Sequence, residues 1–490
     1  MPFLPTAPRG EPRVLRSIVK GGTILATRNV VGMLLMLVGN VAIVRALGLS
    51  LFGLQSVSSF AGTVLTSVAE LSIGLYIVRR PGTLTDSEVA SAFTILQIAS
   101  WIVAAFGLFV VGPVAAWWYG HHELLWLVGG TSLAIVLAAP GKVPSALLER
   151  EMRYGVTSAT ELVSTVAYYG TALLALAFDL GVWSLVFAEL ARALASTICA
   201  SIARPMPYRL RLRRDDVRSI LRFGASMSSS TWVWMLARGV NPLVIGKVLG
   251  VEAAGLVRLA QGLLNQTSTF TSALSRISVN VFGKIQEQPE TVLRAVNTSA
   301  VYAFAAISLP SLALVAASPW LMPKLYHVQG PAITNLLLLA VLPQVINAVL
   351  MSQSFLLMAR GEGTYLTKLH VIRSCLVWLG CLIFVERFGV YAAPLGDLVG
   401  AAALVLLHRR TRALYGAPDY RPAALLVLVG YGATIAVTTF MGPFSGVAVL
   451  AVLSLACFAL VLHLTGDQVA QRAIRAARHQ LRMSVESGVA

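Results

Sequence analysis

Residues 45–54 read RALGLSLFGL, and residues 247–256 read KVLGVEAAGL. Both stretches follow the pattern [RK]-x-L-G-x4-G-L, and every matched position is offset by 202 residues. Each copy joins two long apolar stretches, so each is predicted to be the tight bend of a transmembrane hairpin. A turn repeated across half of the chain indicates that the protein consists of two related halves.

A second repeat extends this interpretation. Residues 181–190 read GVWSLVFAEL and residues 389–398 read GVYAAPLGDL, an offset of 208. Two repeats with similar offsets predict six spans duplicated in parallel orientation. Two six-helix bundles related by an axis along the membrane normal are a transporter architecture, in which the substrate path lies between the halves.

Composition places the chain in the membrane. Of 490 residues 57% are hydrophobic and only 12% are charged, and the mean hydropathy is +0.77; soluble domains carry roughly 25% charged residues. The apolar runs lack period-two alternation, so they favour helices over a barrel. We therefore predict an all-α polytopic membrane protein of about 14 transmembrane helices, with 12 as the alternative if the last pair is misassigned.

The predicted spans divide the chain into five parts. These are a cytoplasmic N-terminal tail (1–20), an N-terminal six-helix bundle (21–205), a C-terminal six-helix bundle (206–410), an extra two-helix hairpin (411–463) and a basic amphipathic cytoplasmic tail (464–490). The first 20 residues lack the apolar core and cleavage site of a signal peptide. The last part is predicted either to lie on the anionic inner leaflet or to be a solvated tail.

Basic residues set the predicted orientation. The formal net charge is +17, and 28 Lys and Arg residues fall in loops on one side of the predicted membrane against 4 on the other. Because positively charged loops stay in the cytoplasm, both termini are predicted to be cytoplasmic. This bias accounts for most of the net charge, so no nucleic-acid partner is expected.

Charged residues inside the spans are the candidate functional groups, because each costs about 2.5–3.5 kcal/mol at the bilayer centre on insertion scales. The arginines are Arg28, Arg192, Arg222, Arg238, Arg258 and Arg373. Arginine in excess over acid indicates an anion-binding path, since the guanidinium donates bidentately to phosphate. Structural alternatives stay open: Arg192 can pair with Glu189, and Arg28 or Arg222 can extend to the interface. For Arg238, next to Asn241-Pro242, and for Arg258, the cavity interpretation is favoured.

Three of the four acidic residues predicted within the spans are the candidates for ion coupling. They are Glu70, Glu161 and Asp397, and for each of them structural pairing with an arginine is the alternative. The chain lacks a phosphate-binding loop, a His-Glu-x-x-His motif and a nucleophile elbow. Its four cysteines form no Cys-x2-Cys pair. We therefore expect no enzymatic activity, cofactor or metal.

The same residues resemble a known family. The turn at 45–54, the segment 147–154 (LLEREMRY) followed by Glu161-Leu162, and the start of the sixth span at Gly181 are similar to the polysaccharide-transporter branch that includes the colanic-acid and succinoglycan exporters. The resemblance covers roughly residues 15–463. It implies a fourteen-helix, MATE-like member of the multidrug/oligosaccharidyl-lipid/polysaccharide exporter superfamily in the bacterial cytoplasmic (inner) membrane.

Such proteins move polyprenyl-pyrophosphate-linked oligosaccharide repeat units across the cytoplasmic membrane for exopolysaccharide or related surface-polysaccharide synthesis. The resemblance thus implies a flippase working by alternating access within the lipid bilayer, with a polysaccharide polymerase and co-polymerase as candidate partners. The alternatives are an ion-coupled multidrug/cation antiporter on the same fold and a non-transporting scaffold of a polysaccharide assembly complex.

The resemblance also bears on the arginines. Related lipid II flippases carry cavity arginines in spans one, two and eight. Arg28 and Arg258 fall in spans one and eight here, whereas Ser56 stands at the repeat-related position of span two. This departure argues against a peptidoglycan precursor as substrate. Arg28, Arg238 and Arg258 are the main predicted contacts of the anionic head group. Arg192 and Arg373 are further candidates, and Arg45 and Lys247 are predicted to ring the outward exit.

Overall fold

The computed structural model describes residues 12–440, apart from residues 81, 208, 268–277, 279–281, 284, 286 and 329. The second helix of the predicted extra hairpin, at 444–463, and the predicted amphipathic tail lie outside these residues. So does the first half of the N-terminal tail.

Regular structure in the described residues is helical. In chain order the α-helices are α1 (Pro12–Glu70), α2 (Ile73–Arg79), α3 (Asp86–Phe106), α4 (Gly112–Tyr119), α5 (Glu123–Arg150), α6 (Tyr154–Ala177), α7 (Trp183–Ala203), α8 (Arg214–Arg238), α9 (Gly246–Val248), α10 (Val251–Thr267), α11 (Pro289–Ala303), α12 (Leu309–Tyr326), α13 (Gly330–Ala359), α14 (Gly363–Phe388), α15 (Ala392–Ala401), α16 (Leu404–Tyr415) and α17 (Arg421–Phe440). Within the part of the chain that is described, the predicted all-α class is therefore confirmed.

The repeated glycines have a positive φ in both copies. Gly48 kinks α1 at φ 75° and Gly250 precedes α10 at φ 93°. Gly181 and Gly389, which open the second repeat, have φ 53° and 58°. Positive φ is strained for residues with a Cβ and readily adopted by glycine. The bends predicted from the sequence pattern are confirmed, and the repeated glycines share a positive φ as well as a position in the pattern.

The helical pattern is irregular at Pro242. A π-helical turn runs from Asn241 to Ile245, between α8 and α9. The carbonyl oxygen of Pro242 accepts a hydrogen bond of 2.7 Å from the hydroxyl of Tyr119. In hydrocarbon a backbone group outside the regular helical pattern needs such a partner.

Length and apolarity qualify six stretches of the described residues as membrane spans. They are Leu34–Glu70, Asp86–Tyr119, Glu123–Arg150, Trp183–Ala203, Ala332–Ala359 and Gly363–Tyr415. Large apolar side chains such as Trp101, Ile102 and Phe109 are exposed on their surfaces, as expected of helices that face lipid. The chain is a multi-pass membrane protein; the number of 14 spans and the arrangement in six-helix bundles stay predictions.

The chain folds into two compact units. The first comprises residues up to 259 together with 374–396, and the second comprises 260–373 together with the residues from 397 onward. These units reflect packing, whereas the predicted bundles 21–205 and 206–410 rest on sequence repeats and stay a prediction. In the first unit, α2, α3, α5 and α8 share a core around Ile73, Tyr76, Phe93 and Ile220.

Candidate functional site

A stripe of mostly polar residues runs along the part of α1 that follows the kink at Gly48. It comprises Gln55, Ser58, Ser59, Gly62, Thr63, Thr66, Ser67 and Glu70. Spacings of three and four residues place these side chains on one helix face. This face lines a chamber of about 790 Å³ within the first unit.

The other walls of the chamber come mainly from α5, α6 and α7. Smaller contributions come from α3, from α1 before Gly48, from Met235 of α8 and from Arg258 of α10. Thr131 and Lys142 face it from α5, Tyr168 and Tyr169 from α6, and Glu189, Arg192 and Ser196 from α7. The lining is therefore rich in hydroxyl groups and contains both signs of charge. Such a surface is suited to a ligand that combines sugar hydroxyls with an anionic group.

Two of the chamber's cations are paired with carboxylates. The ammonium of Lys142 lies 2.5 Å from Glu70 Oε1, and the guanidinium of Arg192 forms an ion pair with Glu189, three residues before it on α7. The pairing of Arg192 with Glu189 that the sequence left open is thus present. Arg192 therefore pairs with Glu189 and at the same time lines the chamber, where a ligand can reach it.

The third cation of the chamber, Arg258, differs from the other two in its partners. Among the described residues no carboxylate lies within ion-pairing distance of it. Its guanidinium donates to Ser59 Oγ at 3.3 Å and lies 5.1 Å from the ring centre of Phe52. A guanidinium has five N–H donors, so most of this group's donor capacity remains available to a ligand in the chamber.

Two neighbouring tyrosines bring further polar atoms to the chamber. The rings of Tyr168 and Tyr169 meet edge to face, with centroids 5.0 Å apart. The Gln55 amide donates to the Tyr168 hydroxyl at 2.6 Å. The other amide atom, Gln55 Oε1, and the hydroxyl of Ser58 have no hydrogen-bond partner among the described residues. Both atoms are buried, away from the open volume of the chamber.

The two copies of the repeated turn meet at one end of the chamber. A Cβ on Gly53 would lie 1.8 Å from the carbonyl oxygen of Val251, and a Cβ on Gly255 would lie 2.3 Å from the carbonyl oxygen of Leu49. The contact is reciprocal. Gly53 of the first copy touches Val251 of the second, and Gly255 of the second copy touches Leu49 of the first. The chamber lining begins just beyond this glycine crossing, at Gln55 and Arg258.

Other predicted site residues lie outside the chamber. Arg45 is exposed just before the kink of α1, and Arg238 is exposed at the end of α8. Lys247 hydrogen-bonds to the backbone carbonyl of Trp118 and lies 4.7 Å from the centre of that residue's ring. Arg28 belongs to α1, but its side chain is outside the described residues.

The remaining acidic candidates and Arg373 fall in two places. Glu161 is exposed on α6 of the first unit, one turn before the chamber residues Ser164 and Thr165. Arg373 and Asp397 are half-buried in the second unit, near enough for their charges to interact. Of the predicted residues, the chamber brings together Arg192, Arg258 and Glu70.

Sequence inspection missed several lining residues. Lys142 belongs by its sequence context to the basic residues of a predicted inward loop, but it lies inside α5. The stripe on α1 had a detectable signal, namely Gln, Ser, Thr and Gly recurring at helical period within an otherwise apolar span. Tyr168 and Tyr169 carried no comparable signal, since neighbouring tyrosines are ordinary in a membrane helix.

Comparison with solved structures defines the class of fold. The chain matches a structure described as the lipid II flippase MurJ in an inward closed conformation, with a TM-score of 0.72 and 14% identity over 92% of this chain and all of the other. A multidrug resistance MATE family transporter of the MOP superfamily in an inward-facing conformation matches with a TM-score of 0.53 and 17% identity, over 80% of this chain and 95% of the other. The fold is that of these membrane transporters.

Sequence comparison then gives the family. A profile described as "Polysaccharide biosynthesis protein" matches residues 42–329, and the chain belongs to this family. The teichuronic acid biosynthesis protein TuaB of Bacillus subtilis is 20% identical over 300 residues, 60% of this chain and 62% of that protein, so the match spans less than two thirds of its length. The lipopolysaccharide biosynthesis protein WzxC of Escherichia coli is 22% identical over 352 residues, 71% of each chain. The resemblance drawn from the sequence motifs is thereby confirmed.

Proposed function

We propose that the protein is a flippase that moves polyprenyl-pyrophosphate-linked oligosaccharides across the bacterial cytoplasmic membrane for surface-polysaccharide synthesis. The observation that carries this proposal is Arg258, a chamber cation without a carboxylate partner among the described residues, set in a wall of hydroxyl groups. Membership of the polysaccharide biosynthesis protein family and the fold shared with a lipid II flippase support the same assignment.

The pyrophosphate is bound first by Arg258, whose planar guanidinium can donate two parallel hydrogen bonds to phosphate oxygens. Arg192 and Lys142 already hold carboxylates, so the incoming phosphate oxygens compete with Glu189 and Glu70 for them. The sugar hydroxyls meet the polar stripe of α1, including the hydroxyls of Thr63 and Thr66. The prenyl chain stays in the lipid.

Transport requires that the chamber open to each side in turn. In the predicted orientation the glycine crossing lies at the outward end, so the structure corresponds to a state closed on that side. Separation of the two turns would release the head group outward. A polymerase and a co-polymerase on the outer side are the proposed partners, and both termini are proposed to be cytoplasmic.

The proposal is tested in proteoliposomes that carry a fluorescent polyprenyl-pyrophosphate oligosaccharide. Arg258→Ala should reduce the initial flipping rate by about tenfold or more, because a charged hydrogen bond contributes about 1.5–3 kcal/mol. Arg258→Lys should retain part of the rate, since it keeps the charge and loses the bidentate geometry. Arg209→Gln, in an exposed loop outside the chamber, is the matched control.

An unchanged rate for Arg258→Ala would refute the assignment of the phosphate site. The cation antiporter is separated by a second measurement, proton-driven uptake of a cationic dye by the same vesicles, which we expect to be absent. A scaffold would move neither compound. The chamber's three cations against two carboxylates favour an anionic ligand over a cationic one.

A further inference from the structure

A second cavity, of about 730 Å³, lies in the first unit where the end of α2 meets the first turns of α8. Four arginines and two aromatic rings dominate its lining: Arg79, Arg80, Arg218, Arg222, Tyr76 and Phe223. We call it the arginine pocket. None of these residues lines the chamber, but Ser72, one helical turn before Tyr76, does. One helical turn, with Ile73 buried in the core, therefore separates a lining residue of the chamber from one of the pocket.

The wall of the arginine pocket is well packed. The rings of Tyr76 and Phe223 meet edge to face with centroids 5.6 Å apart, and the Tyr76 hydroxyl lies 3.3 Å from Ser219 Oγ. Tyr76 belongs to the buried core that joins α2, α3, α5 and α8. The backbone that presents the arginines is thus held in place before any ligand binds, which lowers the entropic cost of binding.

One of the four arginines is neutralised within the protein. Arg80 forms an ion pair of 2.9 Å with Glu88, and Glu88 also accepts a hydrogen bond from the backbone N–H of Thr85 at the start of α3. The hydrogen bond to Glu88 raises the pKa of Arg80 above its usual value. Arg80 therefore serves to fix the loop at the pocket's edge.

The other three arginines have no such compensation. Arg79, Arg218 and Arg222 are exposed, and no carboxylate of the described residues lies within ion-pairing distance of them. Arg218 and Arg222 are four residues apart on α8, a spacing at which like charges repel. The lining contains one acid, Asp215, whose nearest ion-pair partner is Arg213, outside the pocket, at 3.9 Å.

The nearby Asp216 also points elsewhere. Its carboxylate accepts hydrogen bonds from Ser87 at 2.8 Å and Ser91 at 3.3 Å, both on α3. Three uncompensated guanidinium groups around one cavity match an anion with two or more charges better than a singly charged phosphodiester. Guanidinium is also the side-chain group best shaped for phosphate oxygens.

We propose that the arginine pocket is a loading site that binds the diphosphate head group of a polyprenyl lipid at the cytoplasmic surface and passes it along α2 into the chamber. The cytoplasmic placement follows from the predicted orientation, and the choice of a polyprenyl lipid rests on the proposed function. The binding of a lipid diphosphate rests on the pocket itself.

The test measures lipid binding by the full-length protein in phosphatidylcholine nanodiscs. All proteins carry Arg192→Gln and Arg258→Gln, so that the chamber contributes little to the signal. The probe is sugar-free polyprenyl diphosphate, and phosphatidylglycerol is tested in parallel. Arg218→Gln/Arg222→Gln should weaken binding of polyprenyl diphosphate about tenfold or more, because charged hydrogen bonds are lost.

The matched control is Arg209→Gln/Arg211→Gln. It removes the same charge from the adjacent loop but touches no pocket residue, and binding should change by less than about twofold, in line with the small effect of exposed charges. The variant Arg218→Lys/Arg222→Lys keeps the charge and loses the bidentate geometry, so it should retain part of the binding. If the glutamine pair is not monodisperse, Arg79→Gln replaces it, with a smaller loss expected.

Two results would overturn the loading site. Equal losses in the pocket and control variants would assign the binding to diffuse surface charge. Equal affinity for phosphatidylglycerol, with the same loss, would make the pocket a site for ordinary phospholipid head groups. Flipping is measured separately on the protein without the chamber substitutions. Specific binding without flipping would refute the proposed function but would leave unchanged the assignment of lipid diphosphate as the ligand of the pocket.

Discussion

The glycine crossing gives the sharpest prediction of the structure. In Gly53→Ala the new Cβ would lie 1.8 Å from the carbonyl oxygen of Val251, whereas real Cβ atoms essentially never come within 3.0 Å of another atom. The obstacle is backbone rather than a movable side chain. The two turns would therefore have to separate by roughly 1.2 Å, and overpacking of this kind typically costs about 1–3 kcal/mol.

This cost falls only on the state in which the turns touch. A state with separated turns gains population by the same free energy, which corresponds to a factor of about 5–150. We expect Gly53→Ala to shift the protein toward opening on the side predicted to face outward. Gly255→Ala, where the Cβ would lie 2.3 Å from the carbonyl oxygen of Leu49, should act in the same direction.

Thiol labelling in intact cells measures the shift. In a protein with its native cysteines replaced, Thr63→Cys places a reporter in the chamber, and a membrane-impermeant thiol reagent is added from outside. Gly53→Ala should raise the labelling rate about fivefold or more. Gly170→Ala is the control, because its Cβ would meet nothing within 4 Å. Labelling of Gly53→Ala no faster than the control would refute the role of the crossing as a closure.

Three further predictions concern the turn and the chamber. Gly48→Ala puts a Cβ at φ 75° and ψ 173° and should lower the free energy of unfolding by about 1–3 kcal/mol in detergent melts. Gly32→Ala, whose Cβ would meet nothing within 4 Å, should not; equal melting temperatures would contradict the strain. Lys142→Gln should lower kcat/KM for flipping more than Glu70→Gln does, because the lysine is the group that meets the anion; the reverse order would exclude it as a contact. Tyr168→Phe removes the partner of the Gln55 amide at 2.6 Å and should cost about 1 kcal/mol in substrate affinity. Tyr169→Phe, whose hydroxyl bond to Asn40 is 3.4 Å long, should cost less.

The candidate site was only partly predictable. Arg258 and Arg192 were identified because a charge within an apolar span is costly and needs a compensating environment. The same argument gave Arg238, which is exposed at the end of α8 and lies outside the chamber. A charge in a span signals that some environment compensates for it, but not whether that environment is the chamber, another side chain or the helix end.

Lys142 shows the complementary difficulty. Its sequence context, close to the basic residues that follow α5, made it one more cytoplasmic charge. In the structure it lies within α5 and reaches Glu70 at the end of α1. The residues are far apart in the chain, and neither has a partner at helical spacing that would reveal the pair.

The sequence by itself determined the helical class, the membrane location and the positions of the repeated turns. These properties depend on local quantities: the length of an apolar run, the sign of loop charge, and glycine where φ must be positive. Only the tertiary structure decided which charges share the chamber and that the two turns cross at Gly53 and Gly255. The rotation of each helix about its axis selects the face that lines a cavity, and that rotation is fixed by contacts between helices far apart in the chain, such as this glycine crossing.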